Sequence, residues 1–270
     1  MYSLCASCMF FHEHDPPEIF SAMKAANLDS LEFWMESPNF WLRGADTEEL
    51  RFCKQNFQKL FPIAVHAPVF DLNPCSFNPK VAELSGYYSI KSMQALSELG
   101  GGVMTIHPGK RTAKRPISPT DKKRFEEYLK TIEKNLEDNV KVALENMPPA
   151  INAHMTTPAE IRKVLDEHSW LYFTFDYAHA QLLGEPMNFI DECSDRMVNI
   201  HSSLGRSDKM HTPLKETKEG ELLKQKLSDT HYGGLVTFEF EDLNIGRNLS
   251  YEEKIKLLSD ECRYFRTDLY

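Results

Sequence analysis

Eight short apolar, β-rich runs alternate with charged amphipathic segments along this chain, and six of the eight end, at the same relative place, in a residue able to bind a metal ion. No other feature restricts the fold as much. The runs cover 2–9, 30–35, 63–66, 103–107, 140–145, 171–176, 197–201 and 235–239. Helical segments at 17–26, 47–60, 80–99, 120–137, 158–167 and 219–230 lie between them, with Thr47, Thr120 and Thr157 as expected N-caps. Strands buried on both faces read as continuous apolar runs, and Val103-Met104-Thr105-Ile106 has that character, so the sheet is expected to be parallel. Eight strand and crossover units in 270 residues match one closed (β/α)8 TIM barrel, a single domain over 1–270. An open doubly wound sheet would carry a glycine-rich phosphate loop after its first strand. Here that strand runs into His12-Glu13-His14-Asp15, and Gly100-Gly101-Gly102 precedes its strand, as a helix C-cap does.

Composition narrows the function classes. A net charge of −9 disfavours a nucleic-acid partner, which normally leaves a basic footprint. The apolar start at 1–11 has no basic leader and is too short to span a bilayer, so the chain reads as cytoplasmic, with no membrane partner; a homodimer is compatible with the sequence. The six cysteines are scattered and read as free, buried thiols. Cys5 and Cys8 have redox or zinc spacing, but no second pair completes a zinc site.

The strand-end residues are His66, His107, Glu145, Asp176, His201 and Glu239, separated by 25 to 41 positions. Two more candidates lie nearby: His179, three residues after Asp176, and His211, in the loop after the seventh strand. In a parallel barrel all strand C-termini converge on one face, which turns sequence distance into proximity. One acid or histidine at a strand end is commonly a cap or a satisfied polar group. A crowd of them in one pocket would repel or stay unsatisfied unless a cation compensated them. Mixed carboxylate and imidazole donors suit a divalent ion, zinc or manganese first and cobalt or iron next, with one to three ions per chain.

At these residues the chain resembles the xylose isomerase-like TIM-barrel superfamily, which includes sugar-phosphate isomerases and epimerases and the endonuclease IV-like AP endonuclease family 2. The resemblance rests on Val65-His66-Ala67-Pro68, Ile106-His107-Pro108-Gly109, Leu144-Glu145-Asn146, Phe175-Asp176-Tyr177-Ala178-His179, Asn199-Ile200-His201 and Phe238-Glu239, and covers nearly the whole length. It implies that Glu145, Asp176, His201 and Glu239 form the core metal site. It also implies that Glu145 and Glu239 exchange a proton with a ketose carbon, that His179 holds a substrate hydroxyl, and that Arg206 contacts the substrate's polar end. The substrate would then be a small sugar or sugar phosphate, isomerised or epimerised. His66, His107 and His211 resemble instead the fuller cluster of endonuclease IV, a zinc phosphodiesterase at abasic sites, the one reading in which DNA is a partner. This chain departs from that pattern in having Lys209 and Met210 before His211, with Asp208 one place too far, and in lacking a tyrosine in Pro68-Val69-Phe70. Lys110 and Arg111 open the densest basic stretch, a candidate phosphate grip, while Trp34 and Phe70 offer an apolar wall or core packing. A barrel that binds a metal or metabolite without turnover is the third reading.

Overall fold

The computed structural model describes residues 2–267. Eight parallel strands form one sheet: β1 (Ser3–Ala6), β2 (Glu32–Trp34), β3 (Ala64–His66), β4 (Gly102–Ile106), β5 (Val140–Glu145), β6 (Tyr172–Asp176), β7 (Met197–Ser202) and β10 (Leu235–Phe238). β8 (Leu204–Arg206) and β9 (Lys209–Thr212) make an antiparallel hairpin after β7. The sheet runs β1-β10-β7-β6-β5-β4-β3-β2, and a single parallel bridge between Ser7 and Glu32 spans the β1/β2 seam, so the barrel is nearly closed.

The crossovers are helical: α1 (Pro16–Ala25), α2 (Pro38–Leu42), α3 (Thr47–Asn56), α4 (Pro79–Glu98), α5 (Pro119–Glu133), α6 (Pro158–Glu167), α7 (Tyr177–Gln181), α8 (Met187–Cys193) and α9 (Lys218–Asp229). α10 (Asp242–Ile245) and α11 (Tyr251–Arg266) follow the last strand. Local chemistry starts them where it should. Capping boxes pair Asp15 with Glu18, Ser118 with Asp121, Thr157 with Glu160 and Ser250 with Glu253. The expected cap at Thr157 is correct. Those at Thr47 and Thr120 are displaced, because Asp46 accepts from the Glu48 amide and Ser118 from the Asp121 amide. The aspartate and serine outcompete the threonines as caps, and Pro119 already supplies a first-turn residue with no amide to satisfy.

Other boundaries differ for equally local reasons. The first strand stops at Ala6 instead of Met9, because the Ser7 hydroxyl accepts from the Met9 amide and opens a 3-10 turn, Cys8–Phe11. The helix expected over 47–60 breaks at Phe57, with a 3-10 turn at Gln58–Leu60. Gly100, Gly101 and Gly102 all have positive φ at the end of α4, and a Cβ on Gly101 would lie 2.2 Å from the Asn139 carbonyl oxygen, so the triplet is a steric necessity of the turn. The six cysteines are free and buried. Among the described residues no helix is long and apolar enough to cross a membrane.

Candidate metal centre

All eight candidate ligands arrive at the C-terminal mouth of the barrel. His66, Glu145 and Asp176 end β3, β5 and β6, His201 is the penultimate residue of β7, and His107 and Glu239 follow β4 and β10 directly. His179 sits on α7, whose N-cap is Asp176 itself, and His211 on β9. They fall into three groups whose donor atoms lie within 4.8 Å of one another: His66, His107 and Glu145; Glu145, Asp176, His201 and Glu239; and Asp176, His179 and His211. Glu145 and Asp176 each belong to two groups, so the three are fused.

The imidazoles are held in one orientation each. His66 Nδ1 lies 2.8 Å from the Ala67 carbonyl oxygen and His179 Nδ1 lies 2.9 Å from that of Asn146. A carbonyl can only accept, so both Nδ1 atoms carry a proton, and Nε2 is the atom either ring would offer to an ion. His201 Nε2 lies 3.1 Å from Glu32 Oε2, which leaves Nδ1 to face the cluster. Pinning one ring nitrogen by an acceptor while the other faces an ion is how metal-ligating histidines are oriented. His211 is held in the left-handed region, φ 56°, with its carbonyl accepting from the Glu241 amide at 2.9 Å. Such a conformation in a histidine persists where the surroundings fix it.

Electrostatics give the cluster its demand. His66, Asp176 and His201 are fully buried, and Glu145 is nearly so. Burial pushes Asp176 well above the ordinary carboxylate range, and the neighbouring Glu239 and Glu145 carboxylates add to it. Burial also works to raise Glu145, yet His107 and His201 overcome it and hold that carboxyl well below its usual value. Burial depresses His179 to about 4. Asp176 Oδ2, His201 Nδ1 and Glu239 Oε2 are buried with no hydrogen-bond partner among the described residues, although the last two lie only 3.1 Å apart. Three orphaned polar atoms converging on one point fit a divalent cation, which the donor set, oxygen and imidazole without thiolate, would accept. Glu145, Asp176, His201 and Glu239 would hold it first.

Beneath the mouth lies a residue the sequence reading missed. Glu32 is fully buried on β2, and its Oε2 accepts from Asn199 Nδ2 at 2.9 Å and Thr105 Oγ1 at 3.2 Å besides facing His201. Barrel interiors are ordinarily filled with branched apolar side chains, so an acid inside Leu31-Glu32-Phe33-Trp34 was the available signal. Asn146 was also missed: it exchanges two hydrogen bonds with the Asp176 backbone, at 2.8 and 2.9 Å, and so fixes both the Asp176 backbone and the carbonyl that orients His179.

The three basic candidates part company. Arg111 turns into the protein, donating to the Pro116 carbonyl at 2.7 Å and approaching Asp121 at 3.8 Å, while Lys110 lines a cavity of about 410 Å³ beside His107 and His179. Arg206 is exposed on β8 and outside that lining. Trp34 stacks on the His66 ring at 3.8 Å between centroids, and Phe70 on Trp34 at 5.3 Å, which makes them a buttress for a ligand.

Solved structures share the architecture. The chain superposes on D-allulose 3-epimerase from Methylomonas sp. with a TM-score of 0.80 at 16% identity, covering 98% of this chain and 96% of that one. It superposes on endonuclease IV from Thermus thermophilus with a TM-score of 0.68 at 18% identity, covering 98% and 99%. In sequence it is 32% identical over 274 residues to an uncharacterised protein of Methanocaldococcus jannaschii, with 99% of each chain covered. A second uncharacterised protein of that organism is 29% identical over 188 residues, 66% of this chain and 64% of the relative. The model of the family described as xylose isomerase-like TIM barrel matches residues 20–261, and the chain belongs to that family.

Proposed function

We propose that this chain is a divalent-metal-dependent enzyme whose centre takes more than one ion, and that it hydrolyses a phosphoester of a small molecule. One observation carries the reading. Glu145 Oε2 is faced by His66 Nε2 at 3.3 Å and His107 Nε2 at 3.0 Å, and its Oε1 by His179 Nδ1 at 3.4 Å and His201 Nδ1 at 3.6 Å. His66 and His107 on one oxygen and His201 on the other place Glu145 in two donor groups, so it would help to hold an ion in each. Ions in such a cluster would supply Lewis acidity to phosphoryl oxygens and lower the pKa of a water.

The chain's own side chains do the rest. Asn146, Glu32 and the Ala67 carbonyl fix the donors before any substrate arrives, so little reorganisation is left for the reaction. Trp34 and Phe70 close one flank of His66 against water. A small substrate fits better than a DNA strand, because the net charge is −9.

A sugar isomerase or epimerase is the second reading, favoured by the shared architecture with D-allulose 3-epimerase. In it Glu145 and Glu239 would carry protons to and from a ketose carbon, with His179 on a hydroxyl. In its favour too, the Glu145 and Glu239 carboxylates face one another across His201, whose Nδ1 lies 3.6 Å from Glu145 Oε1 and 3.1 Å from Glu239 Oε2.

Elemental analysis of protein purified without chelators or a metal-binding tag, beside assays on phosphoesters, abasic duplex DNA and ketoses, separates the readings. Two or three ions per chain with release of phosphate or alcohol from a small phosphoester are expected. One ion and ketose turnover would replace the hydrolase by the epimerase, cleavage of the abasic duplex would replace the small substrate by DNA, and a chain without metal would end both metal readings.

A further inference from the structure

The cavity beside the cluster is lined on its deep side by His179, nearly buried, and His107, half-buried, and on its rim by the exposed Lys110 and Lys114. Val69, Leu72, Met147 and Pro148 contribute apolar wall between them. The rim is a built structure. Asn73 donates to the Lys110 carbonyl at 2.8 Å and accepts from the Lys110 amide at 3.1 Å, while Asn152 donates to the Arg111 carbonyl at 2.8 Å and the Arg111 amide donates to the Asn152 carbonyl at 2.9 Å. Gly109 lets the loop pass this closely: with φ +76°, a Cβ there would lie 2.6 Å from Asn73 Oδ1. The backbone is thus stitched to both sides of the cavity, whereas neither ammonium has an ion-pair or hydrogen-bond partner among the described residues.

The geometry points to a substrate subsite here: the cavity takes a small molecule with an apolar or aromatic body and an anionic group, phosphate or carboxylate, that lies on Lys110 and Lys114, while the reacting end meets the ions at His107 and His179. It rests on the reading above for which end reacts, and on the cavity alone for what is recognised. A bare sugar would leave the two cations idle and the apolar wall wet. A nucleic-acid strand would need cations along a track, and here they are confined to one rim.

Calorimetric titration of the purified protein with benzenesulfonate and methanesulfonate tests it, since both carry the anion and only one the apolar body, and sulfonates ligate metals weakly. Benzenesulfonate is expected to bind at least about tenfold more tightly than methanesulfonate, and a Lys110→Ala/Lys114→Ala variant to bind it about tenfold more weakly at unchanged metal content, with Lys110→Arg/Lys114→Arg restoring most of the loss. Equal affinity for the two sulfonates, or an unchanged affinity in the double alanine variant, would overturn the subsite. If metal proves absent while that binding and its dependence on the lysines persist, the hydrolase reading goes and the subsite stands.

Discussion

The two halves of the cluster make unlike demands on an ion. On the β3 to β5 side, His66 and His107 both reach Glu145 Oε2, at 3.3 and 3.0 Å, so a proton shared among them can satisfy the group by itself. On the β6 to β10 side, Asp176 Oδ2, His201 Nδ1 and Glu239 Oε2 are orphaned, and Asp176 and Glu239 lie close enough for their charges to raise Asp176. A proton shared between His201 Nδ1 and Glu239 Oε2, 3.1 Å apart, leaves Asp176 Oδ2 unserved, whereas a cation serves all three. The difference teaches that the central group should bind its ion first and most tightly, and that the His66 and His107 group should fill second, in competition with protons.

Glu145→Gln should have the largest effect, since it removes a ligand common to both halves: metal content below one ion per chain, and at least about a hundredfold loss of metal affinity. Unchanged content in elemental analysis would sink the shared-ligand idea. His107→Ala and Asp176→Asn then split the halves. The alanine variant should keep the central ion and lose one other, and the asparagine variant should lose the central ion, because only the latter strips an orphaned oxygen from that group. If His107→Ala empties the whole site, the halves are one unit and the comparison fails. Stepwise removal by a chelator should show the same order in the unaltered chain, with release of the outer ion favoured at lower pH.

Glu32→Gln comes next. It keeps the volume beneath His201 and removes the charge, which should weaken the central ion by about 10- to 100-fold with little effect on the outer one. Equal weakening of both ions, measured by competition with a fluorescent chelator, would show that Glu32 supports the barrel at large.

How far the sequence foretold this asymmetry can be read from the residues. The candidate ligands were legible because a strand end is a fixed topological place: His66, Glu145 and Asp176 each close an apolar run, so the barrel's geometry gathers them. Glu32 showed only as an acid inside an apolar run, because it does not close that run and three-residue β2 does not disclose that it faces inward. Which oxygens go unpaired was equally hidden, since Asn146 and the Ala67 carbonyl act through backbone proximity that spacing alone does not encode. Arg111 misled because a basic cluster shows charge and not direction: its partners at Pro116 and Asp121 draw it inward, while Lys110 stays on the cavity. The hairpin of β8 and β9, which carries His211, lacked a long alternating pattern in sequence.

Glu261 provides the smallest expected effect on metal and the sharpest control. It is as buried as Glu145, but its demands are met inside the protein: Oε1 accepts from the Leu214 amide at 2.8 Å, and both oxygens accept from the Lys215 amide at 3.1 Å. Burial pushes its carboxyl up to about 7, against the pull of those amides and of the Lys215 ammonium. The folded chain therefore holds that proton up to about pH 7, whereas the unfolded chain releases it near 4.5. Between those values the folded state binds more protons, so this group's contribution to stability is full below 4.5 and declines as pH rises toward 7, by up to roughly 3 kcal/mol. Glu261→Gln is neutral throughout and should flatten that slope while leaving metal content unchanged. Urea midpoints of the two proteins between pH 5 and 8 check it, and parallel curves would mean that the amides already hold the carboxylate ionised. Loss of metal in Glu261→Gln would show that the loop from Leu214 back to His211 is coupled to the centre, and that burial of an acid in this barrel is never independent of its ions.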